Sequence, residues 1–234
     1  MKRIVQYILL MTICISIASC KKDNFKAPES KLSGRLVYKG DPIGVEQFQV
    51  PYELFQYGFG KVGGINSTFA QDGSYSALLF DGEYKLDIPN GQGPFIWKQL
   101  PSGNPDTISI SLKGSKTLDL EVIPYYMIRT PQLSAASGKV TGTLKIEKVI
   151  TDATARNIEK VRIYINKTQF VAGGDYNIAQ SEIDGAGITD MNNVSLRVNI
   201  PAISPTQNYV FARIGIKIDG VEDMIFSPIQ KLTF

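Results

Sequence analysis

The sequence predicts an all-β protein made of two successive sandwich domains. Apolar residues recur at every second position through most of the chain, in short runs separated by Gly, Asp-Gly and Pro turn signals. No window carries the three-to-four-residue spacing of a long amphipathic helix. The alternation also stops near the middle, in a proline-containing stretch, and then restarts.

In the first half, Leu32, Gly34, Leu36 and Tyr38 alternate with Ser33, Arg35, Val37 and Lys39, and the run breaks at Gly40-Asp41-Pro42. Val50, Tyr52 and Leu54 share one face of a second strand. Asp72-Gly73 leads into a strand over 74–80, and Asp81-Gly82 turns into Tyr84, Leu86 and Ile88. Ile108, Ile110 and Leu112 are followed, across a turn at 113–115, by Leu118, Leu120 and Val122. Short alternating runs about tight Asp-Gly turns are the pattern of hairpins. Residues 124–138 (PYYMIRTPQLSAASG) carry two prolines and a small polar stretch, and the domain boundary is expected at 132–137. The second half places strands at Val140 to Ile146, Val161 to Ile165 and Val194 to Ile200. A long strand over 209–218 puts Val210, Ala212, Ile214, Ile216 and Ile218 on one face, and Asp219-Gly220 turns it into a last strand over 224–234. Domains are thus expected at 32–131 and 132–234.

The N-terminal residues follow a different order. Lys2 and Arg3 are basic, and residues 4–17 are apolar except for Gln6, Tyr7, Thr12 and Ser16. That run is short of the roughly 20 apolar residues of a membrane-crossing helix and suits a cleaved export signal. It closes on IASC at 17–20, which resembles the lipobox of bacterial lipoproteins. The lipid is attached through a thiol, and the peptidase that cuts before it requires small residues at the two preceding positions. Cys14 follows the bulky Ile13 and does not fit. Residues 1–19 are expected to leave as a signal peptide and Cys20 to carry the lipid that tethers the chain to a membrane. Residues 20–31 then form a polar, lipidated spacer.

Composition narrows the chemistry. The chain has no histidine, which removes Ser-His-Asp and Cys-His catalysis, imidazole-bound zinc and a histidine proton shuttle. The only other cysteine, Cys14, leaves with the signal. Asp72, Asp81, Asp184 and Asp219 each precede a glycine, where the carboxylate serves the turn. Glycoside hydrolysis asks for two carboxylates facing each other across a cleft, and this distribution does not suggest such a pair. A non-enzymatic protein with no metal and no cofactor is expected. Loss of Lys2 and Arg3 lowers the formal charge from +3 to +1 (23 basic against 22 acidic residues), so the charge balance does not favour nucleic acid as a partner.

The strings GRLVYKG at 34–40, PIGV at 42–45, QDGSY at 71–75 and FDGEY at 80–84 together resemble the transthyretin-like (carboxypeptidase-regulatory-like) β-sandwich. More broadly, CKKDNF at 20–25, NGQGPFIW at 90–97, PYYMI at 124–128 and YVFARI at 209–214 resemble an uncharacterised two-domain lipoprotein family of the Bacteroidetes. The resemblance implies a fibronectin-III- or immunoglobulin-like second sandwich. It also implies a gene beside an outer-membrane glycan-import pair, a TonB-dependent transporter and its glycan-capturing lipoprotein. The expected place is the outer membrane, facing the exterior, since Asp23 after Cys20 resembles the surface-export signals of that phylum. Asp106-Thr107-Ile108 resembles its O-glycosylation acceptor, or else simply starts a strand.

The candidate ligand site is an aromatic platform. The apolar face of a sugar ring stacks on an aromatic ring while polar neighbours bond its hydroxyls. Tyr57, Phe59, Phe95 and Trp97 lie in Gly-rich segments, with Asn90, Gln92, Lys98 and Gln99 close in sequence. The same rings would equally serve as caps on the end of the first core. Tyr125 and Tyr126 suit packing between the domains. Two functions follow: an accessory that binds polysaccharide, or a scaffold that docks on the transporter complex without binding glycan.

Overall fold

The computed structural model describes residues 26–58 and 63–234. Cys20 and the signal segment therefore lie outside the described residues, as does Phe59.

Two β-sandwiches follow one another, as the alternation predicts. In the first, β1 (Ser30–Tyr38) pairs antiparallel with β2 (Asp41–Pro42) and β5 (Ser74–Leu79) and parallel with β9 (Lys116–Thr117) and β10 (Leu120–Glu121). The facing sheet runs β4 (Ile65–Thr68), β3 (Pro51–Gln56), β6 (Gly82–Asp87), β8 (Ile108–Leu112), with every pair antiparallel. Period-two burial sends Leu32 and Leu36 inward against Tyr52, Leu54, Tyr84 and Leu86, while Lys31 and Arg35 meet solvent. Tyr52, Phe69 and Tyr75 meet at ring-centroid distances of 5.0–5.7 Å at the centre. A two-stranded ribbon, β7 (Phe95–Ile96) with β11 (Ile123–Pro124), leads to the second domain.

There, β12 (Tyr126–Ala136), β13 (Lys139–Lys148) and β16 (Val194–Asn199) form one sheet. The other orders β15 (Ala179–Asp184), β14 (Ile158–Asn166) and β17 (Tyr209–Ile218), with β18 (Ile225–Phe226) and β19 (Gln230–Thr233) on the far side of β17. The strand expected over 224–234 is broken in two because Ser227 turns inward. Its amide donates to the Ile214 carbonyl and its hydroxyl accepts from the Ile214 amide.

The domain junction lies at residues 124–126, not at 132–137. Gln132 to Ala136 pair in register with β13, so they belong to the second sandwich. Pro131 is accommodated where the register slips between Arg129 and Gln132, with Thr130 at φ 44°. A bulge on an edge strand is one of the few places a proline fits in a sheet. Ser137 and Gly138, at φ 50° and 71°, form the two-residue turn of the β12–β13 hairpin rather than a linker. Ser30 and Lys31, expected to precede the first sandwich, belong to β1, and the Ser30 hydroxyl donates to Asp81.

The two sandwiches share a continuous apolar core and dock through the outer face of β17. Even-numbered residues of β17 fill the second core, so Phe211, Arg213 and Gly215 face away from it. The segment after β2 covers that face: the Phe226 amide donates to the Gly44 carbonyl at 2.9 Å. A Cβ at Gly44 would stand 2.7 Å from the Phe226 carbonyl oxygen, so only glycine allows this approach. Arg213 is fully buried at the centre of the seam. It donates to Val171 O and, at 3.0 Å, to Val45 O, and its guanidinium lies 3.7 Å from the Phe226 ring centroid. Burial pulls its pKa down, to about 9, against the attraction of Glu46, so it remains charged at neutral pH. Arg213→Ala leaves two buried carbonyls without donors and is expected to lower stability by roughly 2–5 kcal/mol. Urea unfolding followed by the fluorescence of Trp97 measures the loss; an unchanged midpoint would contradict the central role of this residue.

Candidate functional site

The predicted aromatic platform is divided by the fold. Phe95 and Trp97 are only 5% and 4% exposed. They point into the first core, and Trp97 Nε1 donates to the Asp106 carbonyl at 2.8 Å. Neither ring offers a free face for stacking. Phe95 lies in β7 rather than in a loop, and that pairing turns its side chain inward. Tyr57 is 68% exposed beyond the end of β3, with the Lys85 ammonium 5.3 Å from its ring, and does not line the pocket at Trp97. Lys98 pairs with Asp106 at 3.2 Å beside Thr107, which is half-buried just ahead of β8.

The polar neighbours of Trp97 do converge. Asn90, Gln92, Gln99, Tyr125, Arg156 and Gly220 surround a pocket of about 190 Å³ between the domains, with Phe95 and Trp97 at its base. Gln99 Nε2 donates to Asn90 Oδ1 at 2.9 Å, and Asn90 Nδ2 donates to the Gly103 carbonyl at 2.7 Å. The Gly93 amide donates at 2.7 Å to Asp223, a buried carboxylate of the second domain. Tyr126, buried at the start of β12, donates its hydroxyl to the Arg156 carbonyl at 2.7 Å, within the second domain.

A second concave region runs along the other part of the seam, as two adjoining depressions of about 310 and 570 Å³ that share Gln71, Asp72 and Ile229. Gln71 bridges the domains. Its Nε2 donates to the Gln169 carbonyl at 3.2 Å, its Oε1 accepts from the Val171 amide at 3.0 Å, and its own amide donates to Gln47 at 3.2 Å. Asn166 Nδ2 donates to the Phe170 carbonyl at 2.5 Å. The backbone around Phe170 is thus held on both sides, yet its ring is 41% exposed. Phe211 and Lys231 complete the wall. Tyr209 and Phe211 meet edge to face at 5.8 Å, and the Lys231 ammonium lies 3.9 Å from the Tyr209 centroid. Asp72 is exposed, and partial desolvation works against its charge. Hydrogen bonds from the Ser74 amide and hydroxyl, with Arg35 at 4.0 Å, nevertheless hold its carboxyl below the usual range.

Phe170, Phe211 and Arg156 were not expected from the sequence. Phe170 stands in a loop without any repeat. Tyr209 and Phe211 did leave a trace, two aromatics on the face of a strand opposite its aliphatic stripe.

Residues 30–123 match the N-terminal domain of DUF3823, described as a protein of unknown function, and residues 126–231 match its C-terminal domain of unknown function, DUF3823_C. The chain belongs to the DUF3823 family. A DUF3823 protein of Parabacteroides merdae is 31% identical, with a TM-score of 0.76 over 89% of this chain and 100% of its own. One from Bacteroides ovatus is 28% identical, with a TM-score of 0.75 over 87% and 98%. A Bacteroides uniformis protein described as a "putative carbohydrate binding protein" is 15% identical, with a TM-score of 0.67 over 88% and 100%, a likeness of fold. No curated protein matches the chain. The family's two domains meet at residues 123–126, where the structure places the junction.

The seam also carries a titrating group. Burial raises the Asp223 pKa above the ordinary 3.8, more than the Gly93 hydrogen bond lowers it. An acid with a raised folded-state pKa favours the fold most when protonated, so its contribution falls as pH rises from 3.8 through the folded value. Asp223→Asn keeps an acceptor for Gly93 without the charge. It is expected to be at least as stable as the parent at pH 7 and to flatten the pH dependence of the unfolding midpoint above pH 4. A variant whose stability relative to the parent does not rise between pH 4 and pH 7 would contradict it.

Proposed function

We propose that this DUF3823 protein is a non-catalytic glycan-binding lipoprotein, tethered to the outer membrane through Cys20, displayed on the cell exterior and serving a polysaccharide-import system. The observation that carries the binding half is Phe170. An exposed ring on a backbone pinned from both domains is a pre-organised stacking surface, and ordering it on binding costs little. Gln47, Gln71 and Gln169 beside it line the groove with amide groups suited to sugar hydroxyls. The fold shared with the Bacteroides uniformis protein described as a "putative carbohydrate binding protein" agrees with this reading. The placing of Asp72, Asp81, Asp184 and Asp219 in Asp-Gly turns supports a binder rather than a glycoside hydrolase, which needs two facing carboxylates, and the lipobox at 17–20 supports the tether.

Affinity electrophoresis against a broad polysaccharide panel tests the binding half. At least one polysaccharide is expected to retard the protein. Phe170→Ala should weaken that retardation about tenfold or more, the scale of an interface anchor, without lowering the unfolding midpoint. A panel without retardation, alongside co-purification with the transporter pair, would make the protein a scaffold instead. The tether is tested separately: Cys20→Ser is expected to move the protein from the membrane fraction to the soluble one and to abolish incorporation of labelled palmitate. A variant that still sediments with membranes and still takes up label would overturn the assignment.

A further inference from the structure

We infer that the pocket above Trp97 is a second binding site, distinct from the Phe170 groove, and that it takes a single sugar unit bearing a carboxylate, a hexuronate. The saccharide half rests on the glycan-binding reading; the carboxylate half rests on Arg156 alone.

Arg156 is built into the pocket rather than merely near it. The Asp152 carboxylate accepts from the Thr154 amide at 2.8 Å and hydroxyl at 2.6 Å, folding the turn that precedes it. The Tyr126 hydroxyl and the Asp219 amide then fix the backbone that follows it, donating to Arg156 O and Asn157 O at 2.7 and 2.9 Å. The guanidinium lies over Gly220, where a Cβ would stand 3.3 Å from Nη1 and where the left-handed φ of 67° already favours glycine. Among the described residues no carboxylate pairs with it, in a chain where Arg129 and Arg162 each hold one within 2.6 Å. Asp223 stands behind Gly93 with its carboxylate turned to that amide.

The remaining lining suits sugar hydroxyls. Asn90 and Gln99 are locked to one another, which leaves a pre-organised donor and acceptor on each side-chain amide, and the Gln92 side chain makes no hydrogen bond among the described residues. A cavity of about 190 Å³ is small for a ligand pocket and matches one ring rather than a chain. One guanidinium offers a planar fork to one carboxylate. With a net charge of +1 after signal removal, the protein has no general attraction for anions, so acid recognition has to be local.

Trp97 is the sole tryptophan and lies at the base of this pocket, so its fluorescence reads the site directly. The detergent-solubilised full chain is titrated with galacturonate, glucuronate, galactose, glucose and N-acetylglycine. At least one uronate is expected to give a saturable change, with the neutral hexoses and N-acetylglycine on the order of tenfold weaker. Arg156→Ala, at an exposed side chain, should lose that response by a similar factor at an unchanged unfolding midpoint. Phe170→Ala should retain it, so the two sites fail separately. No response to either uronate would overturn the proposal. So would equal response to neutral hexoses, equal response to N-acetylglycine, or full response in Arg156→Ala.

Discussion

The burial of Arg213 between the two sandwiches is the constraint on which the rest depends. An unpaired guanidinium in an apolar seam is costly, and what compensates here is a set of carbonyls and a ring drawn from both domains. Val45 comes from the first sandwich, Val171 and Phe226 from the second. The domains therefore meet in one arrangement rather than swinging on a linker. The short junction at 124–126, with Tyr125 bonded to Pro94 on one side and to Val149 on the other, reinforces it.

Both concave regions depend on that fixed arrangement. Neither sandwich alone completes either of these two regions. The groove needs Gln71 from the first and Phe170 from the second, while the Trp97 pocket needs Asn90 and Gln99 from the first and Arg156 from the second. Placing sites at a domain seam is common, because two convex bodies in contact leave concave margins without opening either core. Here the hydrogen bonds that close the seam also hold the walls of the sites, so site geometry and domain docking are one property.

The aromatic residues illustrate how far sequence reasoning reaches. Phe95, Trp97 and Gln99 line one pocket, but stacking on the rings requires exposure, and the pairing of β7 with β11 turns Phe95 inward. The Asp106 carbonyl then satisfies the indole N–H, which makes Trp97 a comfortable core residue. The domain boundary was misplaced for a related reason. Two prolines and a run of small residues look like a linker in one dimension, whereas an edge strand with a bulge and a two-residue hairpin turn satisfies the same composition.

The sequence by itself determined the class of the fold, the number of domains and nearly every strand face, because period-two alternation is a local property that a half-buried sheet enforces residue by residue. It also determined which chemistry is excluded, since a chain without histidine cannot acquire one by folding. Only the tertiary structure decided which aromatic is exposed and which is core, and which arginine is buried and which is unpaired. These depend on contacts between residues far apart in the chain, such as Val45 with Arg213, 168 positions away, and local periodicity carries no record of such contacts.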